Sequence, residues 1–144
     1  KFISLTKFDD STFTSASFFG WIFSHGAIFD RTSFRNFTDF SNCKFQGSSS
    51  FIKAIFYGET HFIRTEFSDQ CTFVDTQFQS SVSFFSSMFQ ETLDGNVKSG
   101  KMYFARAVFS GPVDFDGATI AANPSHPSAA FLGARVADLV SFRG

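Results

Sequence analysis

The chain has little of what most folded domains rely on. Its 144 residues include only 2 Cys, 3 Pro, 1 Trp and 2 Tyr, with Leu nearly as sparse. The two cysteines, Cys43 and Cys71, are too few and too far apart for a disulfide framework or a clustered zinc site. A charge of one sign is also missing. Twelve Lys and Arg face 13 Asp and Glu, which excludes the basic field of a nucleic-acid binder and a strongly acidic tail. No run approaches the ~18 apolar residues of a membrane span. The start, Lys1-Phe2-Ile3-Ser4, lacks the charged and apolar regions of a signal peptide. The chain begins without Met and stops at Ser141-Phe142-Arg143-Gly144, inside a pattern. The expectation is therefore one domain over residues 1–144, part of a longer protein.

What the chain does have is phenylalanine, 25 of them. An irregular core mixes Leu, Ile and Val to fill uneven space, so one dominant side chain implies a periodic interior. Phe falls at 8, 13, 18 and 23, then at 29, 34, 40, 45, 51, 56, 62, 67, 73, 78, 84 and 89. After 23 the steps alternate 6 and 5, which fits neither the 3-and-4 spacing of a helix nor the alternation of a half-buried strand. Two residues before each of these Phe stands a small one, among them Ala27, Thr32, Thr38, Cys43, Ser49, Ala54, Thr60, Thr65, Cys71 and Thr76. At a separation of two, both point to one side of an extended segment and share its interior volume. Trp21 is the one bulky exception, and Phe37 lies out of phase and is not expected in the stack.

This pattern resembles the pentapeptide-repeat family, whose unit has a large apolar centre, a small residue two before it and polar residues elsewhere. The stretches Phe109-Ser110-Gly111-Pro112-Val113-Asp114-Phe115 and Phe131-Leu132-Gly133-Ala134-Arg135-Val136 are similar to its Phe-rich branch. The resemblance implies an all-β fold, a right-handed quadrilateral β-helix (a β-solenoid) with four units and about 22 residues per coil. The coils then run Phe8-13-18-23, Phe29-34-40-45, Phe51-56-62-67, Phe73-78-84-89 and Phe104-109-115 with Ile120, ending in Phe131, Val136 and Phe142. Turn-rich segments near 90–103 and 121–130 are expected as two loop insertions. The fourth side of the second coil carries Cys43 and the first side of the fourth coil Cys71, so both are expected as reduced, buried fillers.

Signatures of chemistry are missing: there is no His-Glu-x-x-His, Gly-x-Ser-x-Gly, phosphate-cradling Gly loop or EF-hand spacing. His25, His61 and His126 lie in unrelated units. Asp114 and Asp116, flanking Phe115, are outward neighbours on one face, a carboxylate pair of the kind that serves a metal or acid-base work. No catalytic residue, metal or cofactor is expected. The candidate surface is apolar: Phe19, Ser41, Ile63 and Phe85 follow the third-side centres at intervals of 22, with Ile52 and Val74 at the equivalent first-side position. The reading is a non-enzymatic scaffold or interaction module, partnered by another protein or a second copy through that column or the open coil ends. The alternative is a mimic of DNA that binds a type II topoisomerase, a property the resemblance supplies. Interleaved Lys7, Arg31, Arg35, Lys44, Lys53 and Arg64 deny it a single-sign field. A third reading is a membrane-associated module held through flanking segments.

Overall fold

The computed structural model describes residues 1–89, 102–120 and 129–143. Among these, every regular element is a two-residue strand, and the strands stack into four parallel sheets. Three sheets hold six strands and the fourth holds five. Successive strands in the chain fall on successive sides, so each coil is a square and each sheet one side of it. The first side contains Ala27–Ile28, Ser49–Ser50 and Cys71–Thr72; the third contains Thr38–Asp39, Thr60–His61 and Val82–Ser83. This is a four-sided β-helix.

The register follows the phenylalanines. Phe34 pairs with Phe56 and Phe56 with Phe78 on the second side; Phe45 pairs with Phe67 and Phe67 with Phe89 on the fourth. Each ring lies flat on its copy in the next coil: Phe40 on Phe62 at 4.9 Å and 2°, Phe34 on Phe56 at 4.6 Å and 1°. Rings of the first and third sides meet edge to face across the axis, as Phe51 does with Phe62 at 5.6 Å and 88°. Both geometries suit the quadrupole of a phenyl ring. The rings from Phe18 to Phe89 at centre positions are buried, and Phe37 is 44% exposed, as its phase requires.

Four rings fill the cross-section, which leaves room only for a small residue beside each. On the second and fourth sides that residue has a further task. Thr32 Oγ1 donates to the Phe8 carbonyl at 2.7 Å, Cys43 Sγ to Phe18 at 2.9 Å, Thr65 Oγ1 to Phe40 at 2.8 Å and Thr76 Oγ1 to Phe51 at 2.6 Å. A hydroxyl or thiol thus stays satisfied in an apolar interior by bonding the coil below. Trp21 takes the small position of the first coil, 37% exposed, with its ring 5.1 Å from those of both Phe2 and Phe18. On that side the coil beneath is represented by Phe2 alone, bridged to Phe23, so a large ring displaces nothing.

The two step lengths make two kinds of corner. Five-residue steps, as from Phe62 to Phe67, close a turn in which the third residue donates back to the ring residue's carbonyl: Thr65 N–H to Phe62 at 3.2 Å, Ala54 N–H to Phe51 at 3.1 Å. The residue before that donor has positive φ, and it is mostly not glycine: Asp10, Arg31, Asn42, Lys53, Arg64, Asp75, Ser86 and Arg106 all lie between 54° and 58°. Six-residue steps take the extra residue at the other two corners, where coils approach closely. A Cβ on Gly58 would lie 2.5 Å from the Asn36 carbonyl carbon.

The first coil advances 21 residues, as the Phe8-13-18-23 spacing requires, and Thr6 pairs with Ala27. Two expectations need correction. The bounds 90–103 and 121–130 expected for loops take in strands, because Met102–Tyr103 and Ala129–Ala130 lie on the first side, in register with Cys71–Thr72 and with each other. The rest of both segments, 90–101 and 121–128, lies outside the described residues. Asp114 and Asp116 are half-buried turn caps rather than an open pair: Asp114 Oδ1 accepts the Asp116 amide at 2.8 Å and Oδ2 accepts Ser83 Oγ at 3.0 Å.

Two stability measurements test this architecture. Phe62→Ala, in the middle of the stack, is expected to cost about 3–5 kcal/mol in chemical denaturation, whereas Phe37→Ala stays within about 1 kcal/mol because Phe37 is a surface ring. Gly58→Ala is expected to lose about 1–3 kcal/mol, because the methyl group must push two backbones apart. Equal effects for Phe62 and Phe37 would contradict the assignment of the interior.

Candidate interaction surface

The third side is where the apolar candidates gather. Its outward residues, each just before a buried Phe, are Ser17, Asp39, His61, Ser83 and Asp114, in direct register. Past the Phe, at the corner toward the fourth side, stand Phe19, Ser41, Ile63 and Phe85. Their backbones are stacked by bonds from Gly20 N to Ser41 O, Asn42 N to Ile63 O and Arg64 N to Phe85 O, each 2.9 Å. Phe19 is 59% exposed and Phe85 40%, Ile63 is half-buried, and Ser41 is buried at 6%. The corner is therefore an apolar ridge with a dent at the second coil. Ile52 and Val74, half-buried, do not join it. They occupy the corner between the first and second sides, diagonally across the square.

The polar column beside the ridge is tied into the backbone. Asp39 Oδ1 accepts the Ser41 amide at 2.8 Å, and Ser83 Oγ accepts the Phe85 amide at 3.2 Å. These bonds fix the start of each corner and hence where the ridge residue projects. His61 Nε2 meets Glu59 Oε1 at 2.7 Å, and the Phe37 ring stands edge-on to the imidazole at 5.0 Å and 87°. Residues before the third-side Phe thus shape this face as much as those after it. The same 22-residue interval marks them, although each is a common polar type.

Elsewhere on the surface, several charges are paired. Arg31 forks onto Asp10 with both contacts at 2.6 Å, Arg106 onto Asp75 at 2.6 and 2.7 Å, and Lys44 Nζ bonds both Glu66 oxygens at 2.8 and 2.9 Å. The guanidinium bonds hold the Asp10 and Asp75 carboxyls below the ordinary carboxylate range. Asp116 is lowered as well, first by the Ser141 hydroxyl. Among the described residues, no three His, Cys, Asp or Glu side chains come together to hold a metal ion, and no helix is long and apolar enough to cross a membrane. His25 is exposed in a separate corner, and His126 lies outside the described residues. An apolar recess of about 320 Å³ lies in the last described coil, between Phe109, Phe115, Phe131, Val136 and Phe142.

Both cysteines are free and buried. Burial pushes the Cys43 thiol up to about 12 and the Cys71 thiol well above its usual value, so neither is a thiolate nucleophile at neutral pH.

Comparison with known proteins agrees with this geometry. A family described as pentapeptide repeats (9 copies) matches over residues 29–77 and again over 40–88. These are the coils with the strictest 5-and-6 rhythm, and the same four-sided stacking extends to the coils before and after them. The stretch 29–88 thus matches pentapeptide repeats, as the spacing of its phenylalanines implies. Such repeats serve generally as structural or interaction modules. Among solved structures the chain is similar to HetL, a pentapeptide repeat protein involved in heterocyst differentiation regulation from the cyanobacterium Nostoc sp. strain PCC 7120. The identity is 12%, over 90% of this chain and 86% of that one, with a TM-score of 0.27. No curated protein sequence matches the chain.

The thiols give a direct test. In native protein, alkylation at neutral pH is expected to leave Cys43 and Cys71 unmodified until denaturant is added, and unreduced mass spectra to show no 43–71 link. Because the folded Cys43 keeps its proton to about 12 against an ordinary 9.0, the unfolded chain loses that proton first as pH rises. The stability linked to this thiol is full below about pH 9 and falls as pH rises toward 12. Cys43→Thr, which keeps a donor for the Phe18 carbonyl, is expected to reduce that alkaline loss.

Proposed function

We propose that the chain is a non-enzymatic docking scaffold whose contact surface is the third side, with Phe19, Ile63 and Phe85 as its apolar anchors. The observation that carries this reading is positional. Phe19 and Phe85 follow ring positions already filled by Phe18 and Phe84, so they cannot enter the same interior, and both stay exposed in one column of a rigid stack. A ridge of exposed rings costs solubility unless a partner covers it. Ile52 and Val74, at the opposite corner, form a second and weaker apolar strip.

The DNA-mimic alternative is less favoured. Imitating a phosphate backbone requires a regular acidic stripe, whereas the third-side column interposes His61 and Ser83 between Asp39 and Asp114. Asp10, Asp75 and Glu66 on other sides are bonded to basic neighbours. A membrane role through flanking segments draws no support from this surface, where Asp39 and Asp114 would face anionic headgroups.

The test is the double variant Phe19→Ser/Phe85→Ser, compared with wild type as immobilised bait and in thermal unfolding. The expected result is a melting temperature within a few degrees of wild type and a clear loss of retained protein. A large drop in melting temperature would make the rings structural packing. Unchanged stability with unchanged retention would remove the ridge from function.

A further inference from the structure

The third side is self-complementary when read backwards. From the first coil to the fourth, its outward column reads Ser17, Asp39, His61, Ser83, and its corner column reads Phe19, Ser41, Ile63, Phe85. Consider a two-fold axis along the strands, midway between the second and third coils. It reverses the order of coils while keeping each column opposite its own copy, which is the condition for an isologous contact. Phe19 then meets the partner's Phe85, Ser41 the partner's Ile63, Asp39 the partner's His61, and Ser17 the partner's Ser83.

Each of these pairings is favourable in kind. Two exposed rings cover each other. Ser41, buried at 6% beside Phe19 at 59%, is the dent that receives the partner's Ile63. Asp39 spends Oδ1 on the Ser41 amide and has no partner for Oδ2 among the described residues. His61 offers Nδ1, since Nε2 is taken by Glu59. With Glu59 accepting the Nε2 proton, the bond to Asp39 uses a protonated imidazole flanked by carboxylates, a charge-assisted pair. At the remaining corner Phe37 faces the partner's Glu59, a carboxylate already held by the partner's His61.

Neighbouring registers fail. Centring the axis on the second coil opposes Asp39 to the partner's Asp39, and centring it on the third opposes Phe19 to the partner's Asp116. We infer that the third side is the contact between two copies of this chain, packed antiparallel with the axis between the second and third coils. This rests on the reading of that side as the docking surface and names a second copy as its occupant. Four coils at ~4.8 Å make the contact about 19 Å long. Association is therefore of the weak, concentration-dependent class.

The experiment mixes two chains, Ser17→Cys and Ser83→Cys, at high concentration. A short bis-maleimide then joins thiols that face each other, while Cys43 and Cys71 stay buried. The expected product is a 17–83 cross-link in the mixture, with little from either chain alone, because two Ser17 residues sit three coils, about 14 Å, apart along the axis. Equal yield from Ser17→Cys alone would overturn the register, and a wild-type chain that sediments as a monomer at millimolar concentration would overturn the dimer. Ser41→Phe supplies the second arm. Other coils already hold Phe at this position, so the fold is kept, and filling the dent is expected to weaken association at least threefold. Stronger association would mean general stickiness and would contradict the inference. If wild type is monomeric while Phe19→Ser/Phe85→Ser still abolishes retention on the immobilised chain, the dimer fails and the docking surface stands.

Discussion

A phenyl ring stacked on its own copy in the next coil is the interaction on which everything else in this chain depends. Through the middle coils the ring centroids repeat at 4.6 to 5.1 Å, close to the ~4.8 Å spacing of hydrogen-bonded strands. One axial step therefore satisfies the backbone ladder and the ring contact together. Leu or Ile at one rung would break the flat stacks above and below it, which explains why a single residue type dominates. The small neighbour follows from the same constraint, because four rings leave no volume for anything larger. The buried donors follow in turn: Thr65, Thr76 and Cys43 bring polar atoms inside but bond carbonyls of the coil beneath.

This dependence also explains which features the sequence reveals. An interior with one solution per rung prints that solution every five or six residues, so sides, coils and register could be read directly. The corners have several solutions and print weakly. Arg31, Lys53 and Arg64 adopt positive φ in a turn that glycine would also serve, and nothing in their chemistry announces it. Trp21 is anomalous as a repeat residue until Phe2 is seen as the only ring beneath it. Asp114 and Asp116 look like an open carboxylate pair only if the turn that consumes them is ignored. The apolar ridge at Phe19 and Phe85 was visible because large rings stand out after a filled centre. Asp39, His61 and Ser83 passed as ordinary outward polar residues, although they shape the same face.

The coils that result carry several paired charges at their corners and an apolar ridge beside the third side. Bidentate pairs such as Arg31 with Asp10 sit at exposed corners and add little stability, but they deny the surface any long stripe of one sign. Buried thiols contribute packing and a hydrogen bond rather than reactivity. What distinguishes one coil from another is the residue on either side of each third-side ring. A repeat protein of this kind varies its surface independently of its core, because outward positions share no volume with the stack.

The central claim is that the phenylalanines form axial columns, and the most direct measurement is nuclear Overhauser contact between individually labelled rings in solution. Labelling Phe29, Phe51 and Phe73 is expected to give strong contacts between 29 and 51 and between 51 and 73, with none between 29 and 73. Upfield ring-current shifts on all three would accompany them. Rings with solvent-like shifts and no contact between neighbours 22 residues apart would contradict the columns, and with them the four-sided coil.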